Sequence, residues 1–268
     1  MHTTEEKKAA FERLLDVMDT LREKCPWDRK QTNESLRPNT IEETYELCDA
    51  LLRDDAHDIC KELGDVLLHI VFYARIADEQ GRFDIADVCN ALCDKLIFRH
   101  PHVYPPADAP EVHADTEAEV LSMWEKIKTR EKDGNKTVLS GVPTALPSLI
   151  KAYRIQDKAR GVGFDWEDRS QVWDKVKEEI GEFEHEVEVK DAKQAEAEFG
   201  DLMFSLINAA RLYKINPENA LEHTNQKFIR RFTFLEQRAK EMGRKLADMS
   251  LAEMDEIWEE AKKFDPQE

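Results

Sequence analysis

Four carboxylates occur twice in this chain at one spacing. Glu43, Glu46, Glu62 and Asp65 form the first set and Glu179, Glu182, Glu198 and Asp201 the second, each member of the second lying 136 residues after its counterpart. Each set reads Glu-x-x-Glu, a 15-residue gap, then Glu-x-x-Asp, with a further glutamate in front, Glu42 or Glu178. Residues three apart share a helix face, so each pair presents two carboxylates to one side. The positions are also mirror-symmetric, about Asp54 in the first set and about Lys190 in the second. An antiparallel helix hairpin turning there brings the two pairs to equal heights, since a helix rises about 1.5 Å per residue. Four negative charges held face to face require a counter-charge, and a hard divalent cation is the natural one.

Aspartate and glutamate make up 57 of 268 residues, and charge runs are usually solvated helix faces. Two sets at identical spacing, each beside an apolar run, instead mark a duplicated unit. A chain of this length accommodates two domains of ordinary size. The expected organisation is a first helical domain at 1–104, a linker at 105–146 with a helix at about 116–132, and a second helical domain at 147–268. Strand-like alternation is nearly absent and Gly and Pro are few, 9 and 10. The expected class is therefore all-α, two helical bundles in tandem.

Helical periodicity predicts helices over 5–24, 41–53, 56–80 and 84–99, then 147–160, 170–189, 193–213, 217–241 and 250–264. Thr40 is expected to cap the second of these, with Glu43 as its capping-box partner. The run Val66-Leu67-Leu68-His69-Ile70-Val71-Phe72 is broad enough to imply a helix buried on most sides. His69 is expected to be a packed or capping histidine, because its counterpart is Ser205. The five cysteines include no Cys-x-x-Cys pair, so neither a disulfide framework nor a zinc site is signalled. Cys89 and Cys93 share a helix face and are expected to be small buried residues.

A net charge of −18 argues against binding a nucleic-acid backbone, while a small anion reached through bound metal stays open. Met1 to Lys8 shows no signal-peptide pattern and no apolar run reaches membrane-span length, so a cytoplasmic location is expected. Carboxylate-bridged di-iron chemistry needs Glu-x-x-His motifs, which neither set contains.

The pattern Glu178-Glu179…Glu182…Glu198-Phe199-Gly200-Asp201, its earlier copy Glu42-Glu43…Glu46…Glu62-Leu63-Gly64-Asp65, and three flanking motifs carry a resemblance. Those motifs are Cys25-Pro26-Trp27-Asp28, Arg99-His100-Pro101-His102-Val103 and Gly161-Val162-Gly163-Phe164-Asp165. Together they closely resemble the MazG family of the all-α NTP-pyrophosphatase superfamily, over nearly the whole chain and in both repeats. Tyr104 is a mild departure, where the family pattern has phenylalanine. The resemblance implies hydrolysis of (d)NTPs between the α- and β-phosphates to a monophosphate and pyrophosphate, with ATP among the nucleotides bound. It further implies Mg²⁺ dependence, with Mn²⁺ as a substitute, a homodimer, and a role in nucleotide-pool control or stress response. By resemblance Glu179, Glu182, Glu198 and Asp201 hold metal. Glu178 or one of those four takes the proton from the attacking water.

A triphosphate also needs cations from the protein, and the repeats differ in these. Lys175 and Lys177 precede the second set, where the first copy has Asn39 and Ile41. Lys227, Arg230 and Arg231 follow it, in a segment that resembles the family's phosphate-binding stretch, with Trp258 and Lys262 beyond. Trp258 is placed to stack on a base and Lys262 to meet phosphate. The second copy is therefore the expected catalytic one, and the first, which keeps Lys95 and Arg99, is a second candidate metal site. Two alternatives remain open: a narrower dUTP, dCTP or phosphoribosyl-ATP type pyrophosphohydrolase, or a helical interaction module stabilised by metal without turnover.

Overall fold

The computed structural model describes residues 1–105, 113–116, 119–120, 123–124, 127, 137–166, 168–189 and 191–265. Among these residues every regular element is helical. The α-helices are α1 (Thr4–Lys24), α2 (Asn33–Arg53), α3 (Ala56–Glu79) and α4 (Ile85–Arg99), followed by α5 (Ser148–Arg160), α6 (Gln171–Val189), α7 (Ala192–Leu212), α8 (Pro217–Glu241) and α9 (Leu251–Ala261). The chain divides into two compact units, 1–124 and 125–268. Most of the helix expected at 116–132 lies outside the described residues. No helix among the described residues is long and apolar enough to cross a membrane.

In the first unit α2 and α3 form the hairpin. Its reversal takes two residues. Asp54 ends α2 in the left-handed region, at φ 52°, and Asp55 caps α3 by accepting from the amides of His57 and Asp58 at 2.9 and 3.1 Å. So tight a turn makes residues equidistant from Asp54 face each other. The α1 helix packs on α3, and Met18, Leu36, Val71, Phe72 and Ile76 form the buried core, joined by Phe11, Leu14 and Leu15.

α2 starts two turns earlier than expected, and its cap is Thr32 rather than Thr40. The Thr32 hydroxyl accepts from the Ser35 amide at 3.1 Å, and the Ser35 hydroxyl from the Thr32 amide at 2.9 Å. Pro38 sits inside the helix, where its cost is one missing amide donor and a strained turn. Leu36, 1% exposed, holds that turn on the core. Thr40 instead donates to the Leu36 carbonyl and meets His69 Nδ1 at 3.1 Å and Tyr73 Oη at 2.6 Å. His69 is accordingly packed, and burial pushes its pKa down against the raising effect of Asp65.

Two burial expectations need correction. Cys89 and Cys93 are exposed, and α4 buries none of its residues. The α3 helix buries Val71, Phe72, Ala74, Ile76 and Ala77 but leaves Leu63, Leu68 and Ile70 exposed. The apolar breadth of a helix counts every surface it suits, including faces that a single chain does not cover.

The second unit repeats the hairpin in α6 and α7. The expected turn at Lys190 lies outside the described residues. Asp191 caps α7 by accepting from the amides of Lys193 and Gln194. Phe183 and Phe199 meet across the hairpin with ring centroids 5.5 Å apart. Val172, Val176 and Ala209 form the core beside Leu202 and Leu212. A second cluster of Leu235, Ala239, Met249 and Ile257 joins α8 to α9. The α5 helix lies against α7 and α8, and Gln156 Nε2 donates to the Phe204 carbonyl at 2.7 Å.

Candidate metal and phosphate site

The hairpins bring together three carboxylates of each set. Oxygens of Glu43, Glu62 and Asp65 lie within 4.8 Å of one another, and so do those of Glu179, Glu182 and Glu198. Glu46 and Asp201, the fourth members, are exposed and stand outside these groups. In each group one carboxylate is buried, Glu62 at 6% and Glu179 at 5% exposure.

The counter-charge within each group is a lysine. Lys61 Nζ lies 2.7 Å from Glu62 and 4.0 Å from Asp65. Lys175 Nζ lies 2.7 Å from Glu179 and 2.9 Å from Glu178. The two lysines come from opposite helices of the hairpin: Lys61 from α3, where the second repeat has Ala197, and Lys175 from α6, where the first has Asn39. Sequence reasoning missed Lys61, although its position one residue before Glu62 and one turn before Asp65 was a usable signal. Lys177 pairs instead with Asp174 at 3.6 Å on the exposed side of α6.

Electrostatics within the groups follow from crowding. Burial, then the charges of Asp65, Glu46, Glu62 and Glu42, push the Glu43 carboxyl up. Burial and the charge of Glu179 push the Glu182 carboxyl up, against the opposing pull of Lys175. The hydrogen bonds to Glu179 and then Glu178 push the Lys175 ammonium up. Glu62 Oε2 is buried with no hydrogen-bond partner. An all-oxygen donor set with one raised carboxyl in each group, and in the first repeat an orphaned buried oxygen, fit a hard divalent cation. A third acidic group, Asp55, His57 and Asp58, is accounted for by the α3 cap and by Arg53, which holds Asp58 at 2.8 Å.

Of the remaining expected cations, Lys227, Arg230 and Arg231 lie on α8 and Lys262 in the 3₁₀ turn that follows α9. Arg231 binds Asp265, with Nε 3.0 Å from Oδ2 and a second, shorter contact from its terminal nitrogen. Its guanidinium also lies over the Trp258 ring, 5.7 Å from the centroid. The charges of Arg230 and Lys227 act on the same Asp265 carboxylate. Trp258 packs on Phe228 at 5.1 Å, and Lys262 pairs with Glu259. Asp265 lies 34 residues beyond Arg231, and nothing in the sequence pointed to the pairing.

Flanking loops are tied to the hairpins by buried arginines. Arg22 reaches Glu79 through two hydrogen bonds of 3.0 and 2.6 Å and donates to the carbonyls of Asp28 and Gln31. Arg211 likewise holds Asp165, in the loop where Gly163 takes φ 88°. Burial pushes the Asp165 carboxyl up, but the Arg211 hydrogen bond, the Trp166 amide and the nearby arginine charges bring it below its usual range.

Fold and site together define a tandem all-α protein in which each repeat gathers carboxylate oxygens across a helix hairpin. The model of the MazG nucleotide pyrophosphohydrolase domain matches the chain twice, at residues 31–104 and 169–233. The chain is 42% identical over 260 residues to the nucleoside triphosphate pyrophosphohydrolase of Escherichia coli, covering 94% of this chain and 97% of that one. It is 43% identical over 255 residues to the nucleoside triphosphate pyrophosphohydrolase/pyrophosphatase MazG of Thermotoga maritima, covering 94% and 95%. A solved mazG-related protein from Thermotoga maritima aligns over 44% of this chain and 98% of its own, at 24% identity and a TM-score of 0.38. The chain belongs to the MazG nucleotide pyrophosphohydrolase family.

Proposed function

We propose that this chain hydrolyses nucleoside triphosphates between the α- and β-phosphates, and that the second repeat carries the reaction. The observation that carries this reading is the convergence of Glu179, Glu182 and Glu198 within 4.8 Å, with Lys175 beside Glu179 and Glu178. Family membership supports the same reaction.

In this reading Glu179, Glu182 and Glu198 would hold Mg²⁺, with Mn²⁺ as a substitute, and Asp201 would complete the set. A cation held there would neutralise phosphate charge and acidify the attacking water. Water adds to the α-phosphorus, the bond to the bridging oxygen breaks, and pyrophosphate leaves with that oxygen. Glu178, held at the edge of the group by Lys175, accepts the proton. Lys175 turns from Glu179 to the departing phosphates, and Lys227 and Arg231 bind the far end of the triphosphate. Glu43, Glu62 and Asp65 form a second cation site in the first repeat.

We further propose a homodimer in which a second copy covers the apolar face of α4. Val88, Leu92, Leu96, Ile97 and Phe98 on that helix are exposed in the single chain, as are the two cysteines among them, a pattern typical of an interface. Leu92→Glu is expected to yield a monomer in sedimentation analysis.

The test of the reaction is product analysis with the eight common (d)NTPs and Mg²⁺ for the wild type, Glu179→Ala and Glu43→Ala. Monophosphate and pyrophosphate, lost in Glu179→Ala and kept in Glu43→Ala, is the expected result. Equal loss in both variants overturns the assignment to the second repeat. Turnover of no triphosphate overturns the reaction itself.

A further inference from the structure

The α8 cation cluster differs from an ordinary surface patch in what covers it. Lys227, Arg230 and Arg231 are spaced three and four residues apart, so they share one helix face, and all three act on the single Asp265 carboxylate. Both Arg231 contacts go to the same oxygen, Oδ2. A guanidinium is best satisfied by two acceptor oxygens in parallel, which a phosphate offers and this arrangement does not. The Arg231 guanidinium meanwhile lies over the Trp258 ring, 5.7 Å from its centroid, a cation–π contact that holds it on this face.

The segment that delivers Asp265 is short and lightly attached. After α9 the chain makes one 3₁₀ turn, Lys262–Phe264, held by a ring contact of Phe264 with Phe234 at 5.4 Å. Phe264 itself stays largely exposed. The buried contacts of α9 are made by Ile257 and Ala261, upstream of the turn. The turn can therefore leave α8 without unpacking the helix before it.

We propose that Asp265 is an internal competitor for the phosphate-binding cations of the second repeat, so that the C-terminal turn must release Arg231 before a triphosphate engages it. This rests on the reading of Lys227 and Arg231 as phosphate ligands. The device is particular to the second repeat, because the first has Ala91, Asp94 and Lys95 where the second has Lys227, Arg230 and Arg231.

The experiment measures tripolyphosphate binding by calorimetry, and KM for ATP with Mg²⁺, in the wild type, Asp265→Asn, Arg231→Met and the double variant. Tripolyphosphate reports the anion site without base recognition or cleavage of a nucleotide. Asp265→Asn is expected to tighten binding and lower KM by about three- to fivefold, the scale of a partly exposed ion pair. Arg231→Met is expected to weaken binding, and Asp265→Asn to add nothing in its presence. Unchanged or weaker binding in Asp265→Asn, with weaker binding in Arg231→Met, overturns the competitor and leaves the phosphate site standing. No change in either single variant overturns the phosphate reading as well.

Discussion

Arg22 and Lys158 stand 136 residues apart at the same register of the two repeats, both are buried, and they differ in having a partner. Arg22 is bound by Glu79 and by two loop carbonyls and lies over the Phe72 ring. Lys158 has no hydrogen bond or ion pair among the described residues, and the counterpart of Glu79 is Ile215, exposed. The stem of Lys158 is buried while its unpaired ammonium is not among the buried unpartnered atoms, so its charge owes little to a protein partner, whereas removing one half of a buried pair strands the other. Arg22→Met is therefore expected to cost about 2–4 kcal/mol, discounted because Glu79 keeps some solvent. Lys158→Met is expected to fall within about 1 kcal/mol of wild type, or to stabilise. Urea unfolding of the two variants decides it; a large loss at Lys158→Met would reveal a counter-charge supplied from outside the chain.

The carboxylate groups make stability depend on pH and metal together. Glu43 and Glu182 have raised carboxyl pKa values in the folded chain, so the folded state holds protons that the unfolded state has lost. Metal-free stability is therefore expected to fall as pH rises from the ordinary carboxylate value through these raised values. Mg²⁺, binding the folded state, is expected to reverse the fall. Glu43→Gln should flatten part of the metal-free slope, and melting curves from pH 4 to 7 with and without Mg²⁺ measure it.

Gly64, Gly181 and Gly200 sit in helix interiors with nothing within 4 Å of an added Cβ. Within the chain, alanine is thus expected to stabilise by about 0.5–1 kcal/mol at each. Gly64 and Gly200 immediately precede the aspartates of the two sets. Thermal melting of Gly200→Ala beside its NTP turnover separates the two demands: a more stable, less active variant is expected if substrate or a second copy approaches that backbone.

The start of α9 carries its own pH dependence. Glu253 is held at about 2 by the Arg244 hydrogen bond, then by the Ser250 amide and hydroxyl. A depressed folded pKa contributes stability that is full above the unfolded carboxylate value and lost as pH falls toward 2. Glu253→Gln is expected to remove that acid-side loss and to leave unfolding at pH 7 easier than in wild type, as seen by chemical denaturation.

Much of this fold was legible because its period is exact. The mirror symmetry of Glu43, Glu46, Glu62 and Asp65 placed a turn at Asp54, and Asp54 ends α2. Helix starts were harder to read. Thr40 and Thr32 are both good caps on paper, and the choice was made by Leu36 entering the core, a tertiary contact no local pattern contains. Cys89 and Cys93 were misplaced for a related reason: helical spacing reveals an apolar face, but not whether the chain packs another element on it. Within the site the facing of the carboxylates across each hairpin followed from their spacing, but which three of the four draw together depends on rotamers, and so does the lysine that joins them.

That lysine makes the molecule its own control. Relative to the second repeat, the first is a natural transplant in which the ammonium has been deleted at Asn39 and installed on the facing helix as Lys61. Measured side by side in one chain, at one concentration and in one buffer, the two hairpins ask whether a cluster of carboxylates cares which strut its ammonium hangs from.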